Sequence, residues 1–157
     1  MKSYELTTLF AIGSLYATAA TGQQNTMLPD YPNSYEIVRD VVEMPAGRQM
    51  GSGNAIDIDS RGNVWVFERC GGNNGACPES DVDPVLQFSP EGKLLSSFGS
   101  GLFVWPHGIV VDEDDNLWII DAGVIEGEKG NQIFKFTQDG TLLLELGEPG
   151  VRGDGPG

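Results

Sequence analysis

The sequence contains one pattern twice, and this repeat limits the possible fold more than any other feature. The first copy reads NAIDIDSRGNVWVFERC and, after a loop, PVLQFSPEGKLLSSFG; the second reads HGIVVDEDDNLWIIDAG and, after a loop, NQIFKFTQDGTLLLELG. Trp65 and Trp118 are 53 positions apart (118 − 65), whereas Phe88 and Phe136 are 48 apart (136 − 88), because the second copy has the shorter loop. A fixed period of about 50 residues that contains four short strands is typical of a β-propeller blade.

Within each copy, apolar residues alternate over short runs, which predicts four β-strands separated by tight turns. In the first copy, blade one, the predicted strands are Ala55–Asp59, Val64–Arg69, Pro84–Ser89 and Leu94–Gly99. In the second copy, blade two, they are Gly108–Asp112, Leu117–Asp121, Gln132–Thr137 and Leu142–Gly147. No apolar run has a helical period, so we expect an all-β chain with blade one over residues 54–99 and blade two over 107–147. The run YEIVRDVVEM predicts one further strand over residues 35–44.

The acidic run from Asp112 to Asn116 has two interpretations. It aligns with the segment from Asp59 to Asn63, whose Gly and Asn are typical of a hairpin turn. A calcium-binding loop is the alternative, but the aligned copy carries Arg61, which does not suit a cation site. We therefore interpret the run as a turn.

Two blades cannot close a ring, because a propeller buries both faces of each blade against its neighbours. The sequence stops in EPGVRGDGPG, where a third blade would begin. We therefore expect residues 35–157 to be a partial propeller that ends in a truncated loop over residues 148–157. Its partners would be its own missing C-terminal blades, and the chain alone should be poorly stable or should self-associate.

The N-terminal residues have the pattern of a secretory signal peptide. Lys2 supplies a positive charge, residues 6–16 form a short apolar core, and Ala17-Thr18-Ala19 is a suitable cleavage site. The apolar run is shorter than the roughly 20 residues that span a bilayer, so we expect no membrane insertion. The sequence predicts a signal peptide over residues 1–22, a flexible leader over 23–34, and a secreted or periplasmic protein.

The charge of the chain argues against nucleic acid as a partner. Nine Lys and Arg against 23 Asp and Glu give a net charge of −14, and the acidic residues are scattered along the chain. An acidic surface repels phosphate backbones and anionic lipid headgroups.

The two cysteines, Cys70 and Cys77, lie in the loop RCGGNNGACPES. In an exported chain, this arrangement predicts a local disulfide that fixes the loop. A zinc site is the weaker interpretation, since no second pair of soft ligands would complete a tetrahedron.

Two stretches carry a resemblance to a known family. The run NQIFKFTQDGTLLLELG resembles an NHL repeat, and residues 35–157 resemble the start of a secreted six-bladed NHL propeller. More narrowly, GNAIDIDSRGNVWVFER followed by WPHGIVVDEDDNLWIID resembles the opening blades of the peptidyl-α-hydroxyglycine α-amidating lyases. The resemblance implies a peptide substrate, a peptidyl-α-hydroxyglycine, which is cleaved to a peptide amide and glyoxylate. It also implies two cofactors, a zinc ion held by three histidines and a nearby calcium ion.

The resemblance assigns roles to four residues of this chain. His107, the only histidine, falls on the first zinc ligand, and Arg69 falls on an arginine that contacts substrate near the metal. The main-chain carbonyls of Ile56 and Ile109 fall on calcium ligands. A neutral imidazole suits zinc, and a guanidinium could orient a substrate carboxylate or favour a developing alkoxide. The other two zinc histidines, a calcium carboxylate and a catalytic tyrosine of the family would lie in later blades.

Other interpretations of the same residues remain open. The protein could be a non-catalytic NHL scaffold that binds protein or glycan through its loops, or a gluconolactonase-like metal-dependent hydrolase. His107 could be a turn histidine bonded to backbone, and Arg69 could cap the disulfide loop or pair with Glu68, which stands where the animal lyases have a second histidine. Trp65 and Trp118, at equivalent positions, are expected in the core between blades.

Overall fold

The computed structural model describes residues 34–72 and 77–153, and the described residues from Val38 onward belong to one compact unit. The predicted signal peptide over residues 1–22, and all of the predicted leader except residue 34, lie outside these residues. In the described ranges there is no helix, and therefore none long and apolar enough to cross a membrane.

Two four-stranded antiparallel sheets make up the described fold. The strands of blade one are β1 (Gly53–Ile58), β2 (Val64–Glu68), β3 (Val85–Phe88) and β4 (Leu94–Phe98). Those of blade two are β5 (Pro106–Val111), β6 (Leu117–Ile125), β7 (Lys129–Phe136) and β8 (Leu142–Leu146). In each sheet, every strand pairs with the next in sequence, so each copy of the repeat is one up-and-down blade. The predicted all-β fold with two four-stranded blades is confirmed.

The structure differs from the predicted strands in two places. Residues 35–44 form no strand of either sheet: Glu43 makes only an isolated bridge with Lys93, and Asp40 has a left-handed φ of 56° that interrupts an extended run. In blade two, the loop expected between the second and third strands is mostly ladder, because β6 and β7 extend beyond the predicted strand ends. Gly127, with φ 69°, lies in the turn of this long hairpin.

The largest core cluster lies between the two blades. Its buried residues are Trp65, Phe67, Val85, Phe103, Ile109, Leu117, Ile119, Phe134 and Phe136. Phe103, from the connection between the blades, packs edge-on against Phe67 with ring centroids 4.9 Å apart and against Phe134 at 5.7 Å. Trp65 is in this core as predicted, whereas Trp118 is half-buried outside it, with the Lys135 ammonium 5.1 Å from its ring centroid.

Polar contacts between the turns hold the same two blades together. Asp115, in the turn between β5 and β6, accepts hydrogen bonds from the backbone N–H (2.8 Å) and hydroxyl (2.5 Å) of Ser60 in the turn between β1 and β2. The Val111 N–H of β5 donates to the Asp57 carboxylate of β1 at 2.8 Å. The two innermost strands are therefore fixed relative to each other, and both carry predicted site residues.

Candidate metal and substrate site

His107 occupies a β-bulge at the start of the innermost strand of blade two. Pro106 pairs with Asp121 and Gly108 pairs with Ile120, so His107 has no partner on β6. A bulge leaves its extra residue outside the ladder and redirects the side chain, which makes bulges common beside functional sites. The His107 side chain is exposed, so its imidazole is accessible to a ligand.

The segment that leads into His107 is fixed by a buried carboxylate. Asp121, at 2% exposure, accepts hydrogen bonds from the N–H groups of Val104 (2.8 Å), Trp105 (2.6 Å) and Gly123 (3.3 Å). The Ala122 N–H returns a bond to the Trp105 carbonyl at 3.1 Å. These bonds define the backbone position from which β5 and its bulge begin.

Arg69 is linked to this segment through Trp105. Its guanidinium carbon lies 4.2 Å from the centroid of the Trp105 ring, which is the geometry of a cation–π contact. Trp105 is two residues before His107, so the stacking joins the end of β2 in blade one to the start of β5 in blade two. The buried Arg69 Nε has no hydrogen-bond partner among the described residues.

Glu68 does not pair with Arg69, which corrects one of the two alternatives that the sequence left open. The fully buried Glu68 carboxylate pairs with Arg48 at 3.0 Å and accepts the N–H groups of Gly51 (2.6 Å) and Gly71 (2.8 Å). Glu68 stands 53 positions before Asp121 (121 − 68). Like Asp121, it accepts backbone N–H groups from residues that precede and follow it in the chain. Its hydrogen bonds therefore give Glu68 a structural role in blade one.

Sequence reasoning missed Asn54, which the structure places beside the site. Asn54 is the bulge residue of β1, as His107 is of β5, and the two are 53 positions apart (107 − 54). The Asn54 amide nitrogen donates to the Pro106 carbonyl at 2.5 Å, so the bulge of blade one supports the backbone next to the bulge of blade two. The offset that revealed the repeat could have identified Asn54.

The predicted disulfide between Cys70 and Cys77 is confirmed, with the two Cα atoms 5.5 Å apart. The Cys77 N–H donates to the Val104 carbonyl at 2.9 Å. Since Cys70 directly follows Arg69, the disulfide ties the arginine end of blade one to the segment that precedes His107.

Ile56 and Ile109 occupy equivalent positions on the edge strands β1 and β5. The Ile56 side chain is 68% exposed, whereas Ile109 is 5% exposed because its face packs against blade one. An edge strand leaves some of its carbonyl groups outside the ladder, and calcium accepts carbonyl oxygen as a ligand. Their role as calcium ligands stays a prediction.

The acidic turn of blade two is built by its own hydrogen bonds. Asp112 accepts the N–H groups of Asp114 (3.0 Å) and Asn116 (2.9 Å), the Trp118 indole N–H (3.0 Å) and the Lys135 ammonium (2.7 Å). The bond from Lys135, followed by those from Asn116 and Trp118, holds the pKa of Asp112 far below its usual range. In blade one, Asp59 accepts the equivalent bonds from its turn and from Trp65. The interpretation of this run as a turn agrees with the structure.

The side chains of the described ranges do not form a complete metal site. In the described ranges, no three His, Cys, Asp or Glu side chains lie close enough together to hold a metal ion. His107 is the single histidine of the sequence. These residues alone therefore do not fit a three-histidine zinc centre.

The fold and its repeated turns define a pair of β-propeller blades of the NHL type. No protein-family model matches the chain. It is 30% identical over 124 residues to peptidyl-alpha-hydroxyglycine alpha-amidating lyase 1 of Drosophila melanogaster, which covers 68% of this chain and 22% of the relative. It is 24% identical over 120 residues to a probable lyase of the same name from Caenorhabditis elegans, covering 68% of this chain and 33% of the relative.

A third relative is NHL repeat-containing protein 3 of mouse, which is 31% identical over 109 residues, or 67% of this chain and 28% of the relative. The chain thus resembles the peptidyl-α-hydroxyglycine α-amidating lyases and a second NHL protein, at low identity. It spans between about a fifth and a third of the length of these relatives.

Proposed function

We propose that the protein carrying these blades is a lyase that converts a peptidyl-α-hydroxyglycine into a peptide amide and glyoxylate. The reaction breaks the bond between the amide nitrogen and the hydroxylated carbon. The hydroxyl oxygen becomes the glyoxylate aldehyde, and its proton replaces carbon on the nitrogen. The observation that carries the proposal is the link from Arg69 through Trp105 to the His107 bulge, which brings a cation and an exposed imidazole from two blades to one region.

In this proposal, Arg69 binds the carboxylate of the hydroxyglycine. A guanidinium recognises a carboxylate through parallel hydrogen bonds, and stacking on Trp105 fixes the plane of the fork. Arg69 would thereby orient the substrate and would not itself transfer a proton.

His107 is proposed as one zinc ligand, with the remaining ligands supplied by polypeptide outside these 157 residues. The carbonyls of Ile56 and Ile109 are proposed to contribute to a calcium site on the same edge strands. The disulfide between Cys70 and Cys77 supports an exported protein, because such bonds persist in oxidising compartments. We therefore propose a secreted or periplasmic location.

A non-catalytic NHL scaffold is the second candidate function. The relative named only for its NHL repeats supports it, as does the single histidine of the chain. A scaffold would use the exposed loops of the blades to bind a partner and would release no glyoxylate.

The experiment is to incubate the complete product of the gene with zinc and a peptidyl-α-hydroxyglycine, and to measure glyoxylate. We expect turnover that His107→Ala abolishes and that Arg69→Gln weakens through a KM at least tenfold higher. Arg39→Gln, at an exposed arginine away from both blades' strands, is the matched control and should change neither value. Absence of turnover by the wild type would favour the scaffold, and full turnover in His107→Ala would contradict the ligand role.

A further inference from the structure

Arg69 occupies the first position of a tight turn that follows β2. The Gly72 N–H donates to the Arg69 carbonyl at 2.9 Å, and the two central residues, Cys70 and Gly71, have left-handed φ angles of 48° and 75°. Positive φ at both central positions is typical of a type I′ turn, which usually takes Gly, Asn or Asp there. Cys70 therefore adopts a conformation that L side chains avoid, and the surrounding structure must hold it there.

The equivalent part of blade two is held by strand pairing instead. By the offset of 53, Arg69 corresponds to Ala122. After Ala122, the pairing of β6 with β7 resumes beyond a register shift and continues to Ile125. Before Arg69, strand β2 has already ended, and β3 does not begin until Val85. Arg69 thus stands where pairing has stopped in blade one but continues in blade two.

The disulfide connects this turn to a fixed part of the molecule. Its second cysteine, Cys77, is 1% exposed, and the Cys77 N–H donates to the Val104 carbonyl at 2.9 Å. The carbonyl of the next residue, Pro78, accepts a hydrogen bond from the Lys129 ammonium of blade two at 2.8 Å. Cys77 is therefore held from the connection between the blades and, through its neighbour, from blade two.

These contacts form a closed path through the candidate site. From Arg69 the path runs through the disulfide to Cys77 and by a hydrogen bond to Val104. The next residue is Trp105, on which the Arg69 guanidinium stacks. The N–H groups of Val104 and Trp105 are both bonded to Asp121. Because Trp105 is fixed in this way, a change in the turn at Arg69 alters the stacking.

We propose that the disulfide between Cys70 and Cys77 is a positioning element that holds the Arg69 guanidinium against Trp105. Without the disulfide, the turn relaxes from the left-handed φ of Cys70, and the arginine at its first position loses its fixed orientation. In the lyase proposed above, on which this consequence rests, the disulfide thereby sets the affinity for the substrate carboxylate. It takes no part in bond breaking, so it acts on KM and not on kcat.

The alternative is a disulfide that only stabilises its loop. Removal of such a disulfide would have the same effect whether or not residue 69 is an arginine. Residues that act together give non-additive effects, whereas independent residues give additive ones. Combining removal of the disulfide with Arg69→Gln therefore separates the two roles.

NMR of the complete gene product with isotope-labelled arginine tests the positioning directly. Side-chain protons that lie over an indole are shifted upfield by its ring current, and Arg69→Gln identifies the signal of Arg69. We expect this signal upfield in the wild type. In Cys70→Ala/Cys77→Ala it should move towards the signals of the other arginines, as it should in Trp105→Leu.

Glyoxylate release measures the consequence for the substrate. Cys70→Ala/Cys77→Ala should raise KM at least about fivefold with kcat unchanged, and it should not raise KM further in the Arg69→Gln background. Tris-carboxyethyl phosphine should have the same effect on the wild type: the disulfide becomes two thiols, and the phosphine takes the oxygen of water to become its oxide. The double variant should not respond to the phosphine, which separates this disulfide from the rest of the protein.

Asp83→Ala is the matched control, at the other end of the same loop. The Asp83 carboxylate accepts the hydroxyl of Ser97 at 2.8 Å and the N–H of Ser100 at 3.1 Å, and it lies outside the closed path. Its removal should change neither the Arg69 signal nor KM. Circular dichroism verifies that each variant is folded. Cys70→Gly/Cys77→Ala provides a second double variant, because glycine adopts the left-handed φ without strain.

Two results would overturn the proposal. One is an Arg69 signal that stays upfield in both double variants. The other is an increase in KM in the Arg69→Gln background as large as in the wild type, which would make the disulfide a general stabiliser of the loop. Absence of glyoxylate release by the wild type would instead contradict the proposed lyase function, and the NMR measurement would still decide the positioning role.

Discussion

Blade one and blade two share one strand plan and one turn chemistry, yet they differ at the bulge of the innermost strand. Asn54 fills that position in blade one and is used to support the Pro106 carbonyl. His107 fills it in blade two and is exposed. Where equivalent residues keep the same chemistry, as the aspartates of the first turns do, they build the blade. Where the chemistry changes, as at the bulge, the position is free for function.

The equivalent buried carboxylates of the second strands, Glu68 and Asp121, provide the largest test of this comparison. Glu68→Ala removes the partner of Arg48 as well as an acceptor for two backbone N–H groups, and breaking a buried ion pair in this way costs about 3–5 kcal/mol. Asp121→Ala leaves backbone N–H groups without an acceptor, but it leaves no cation unpaired. We therefore expect it to lower the free energy of unfolding by about 1–3 kcal/mol. Urea unfolding of the full chain measures both losses. A loss in Asp121→Ala that equals the loss in Glu68→Ala would contradict the assigned roles.

The first turns of the blades provide a smaller test. Gly62 has φ 83°, and its counterpart Asp115 has φ 61°. A Cβ at Gly62 would meet nothing closer than Pro90 at 3.6 Å, so Gly62→Ala should cost only the left-handed strain, about 1–2 kcal/mol. Asp115→Gly should relieve similar strain while losing the bonds to Ser60, so its net effect should stay within about 0.5 kcal/mol. Thermal or urea unfolding measures the change in stability of each variant. Equal losses of stability in the two variants would contradict this expectation.

The smallest expected effect is on titration of the blade-two turn. Lys135 corresponds to Gln87 of blade one, and its ammonium is the main cause of the low pKa of Asp112. Because the folded pKa is depressed, the carboxylate stabilises the fold above its ordinary pKa of 3.8, and this stabilisation is lost as pH falls below about 4. Lys135→Gln should raise the pKa of Asp112 and reduce that acid-induced loss.

Carbon-detected NMR titration of Asp112 measures the shift directly. Lys129→Gln is the matched control, since within the part of the chain that the structure describes the Lys129 ammonium donates to the carbonyls of Pro78 and Gly101 and to no carboxylate. An unchanged pKa in Lys135→Gln would show that the turn bonds, and not the ammonium, determine the titration.

Much of the fold can be predicted from the sequence, because the same strand pattern occurs twice. Strand periodicity and turn residues gave the eight strands and two blades. The segment over residues 35–44 was misjudged because alternation alone does not show that Asp40 takes a left-handed φ or that Val42 and Met44 pack across blade one. The long hairpin of blade two is not predicted, because the glycines and charged residues of GVIEGEKG are typical of a loop, although Val124 and Ile125 extend the ladder.

The site was less predictable, because its contacts join residues far apart in sequence. The stacking of Arg69 on Trp105 depends on how two blades pack, and no local pattern encodes that distance. By contrast, Asn54 and the paired role of Glu68 and Asp121 can be predicted from the sequence, because the 53-residue offset relates the polar positions of the repeat as well as the apolar ones.

The central functional claim is that blade two, and not blade one, presents a metal ligand at its bulge. The most direct measurement is the zinc affinity of the complete gene product, by competition with a chromophoric chelator, in wild type and in His107→Asn, which gives blade two the residue of blade one. We expect at least tenfold weaker zinc binding in the variant, with an unchanged midpoint of thermal unfolding. Equal zinc affinity in the two proteins would contradict the proposed ligand role of His107.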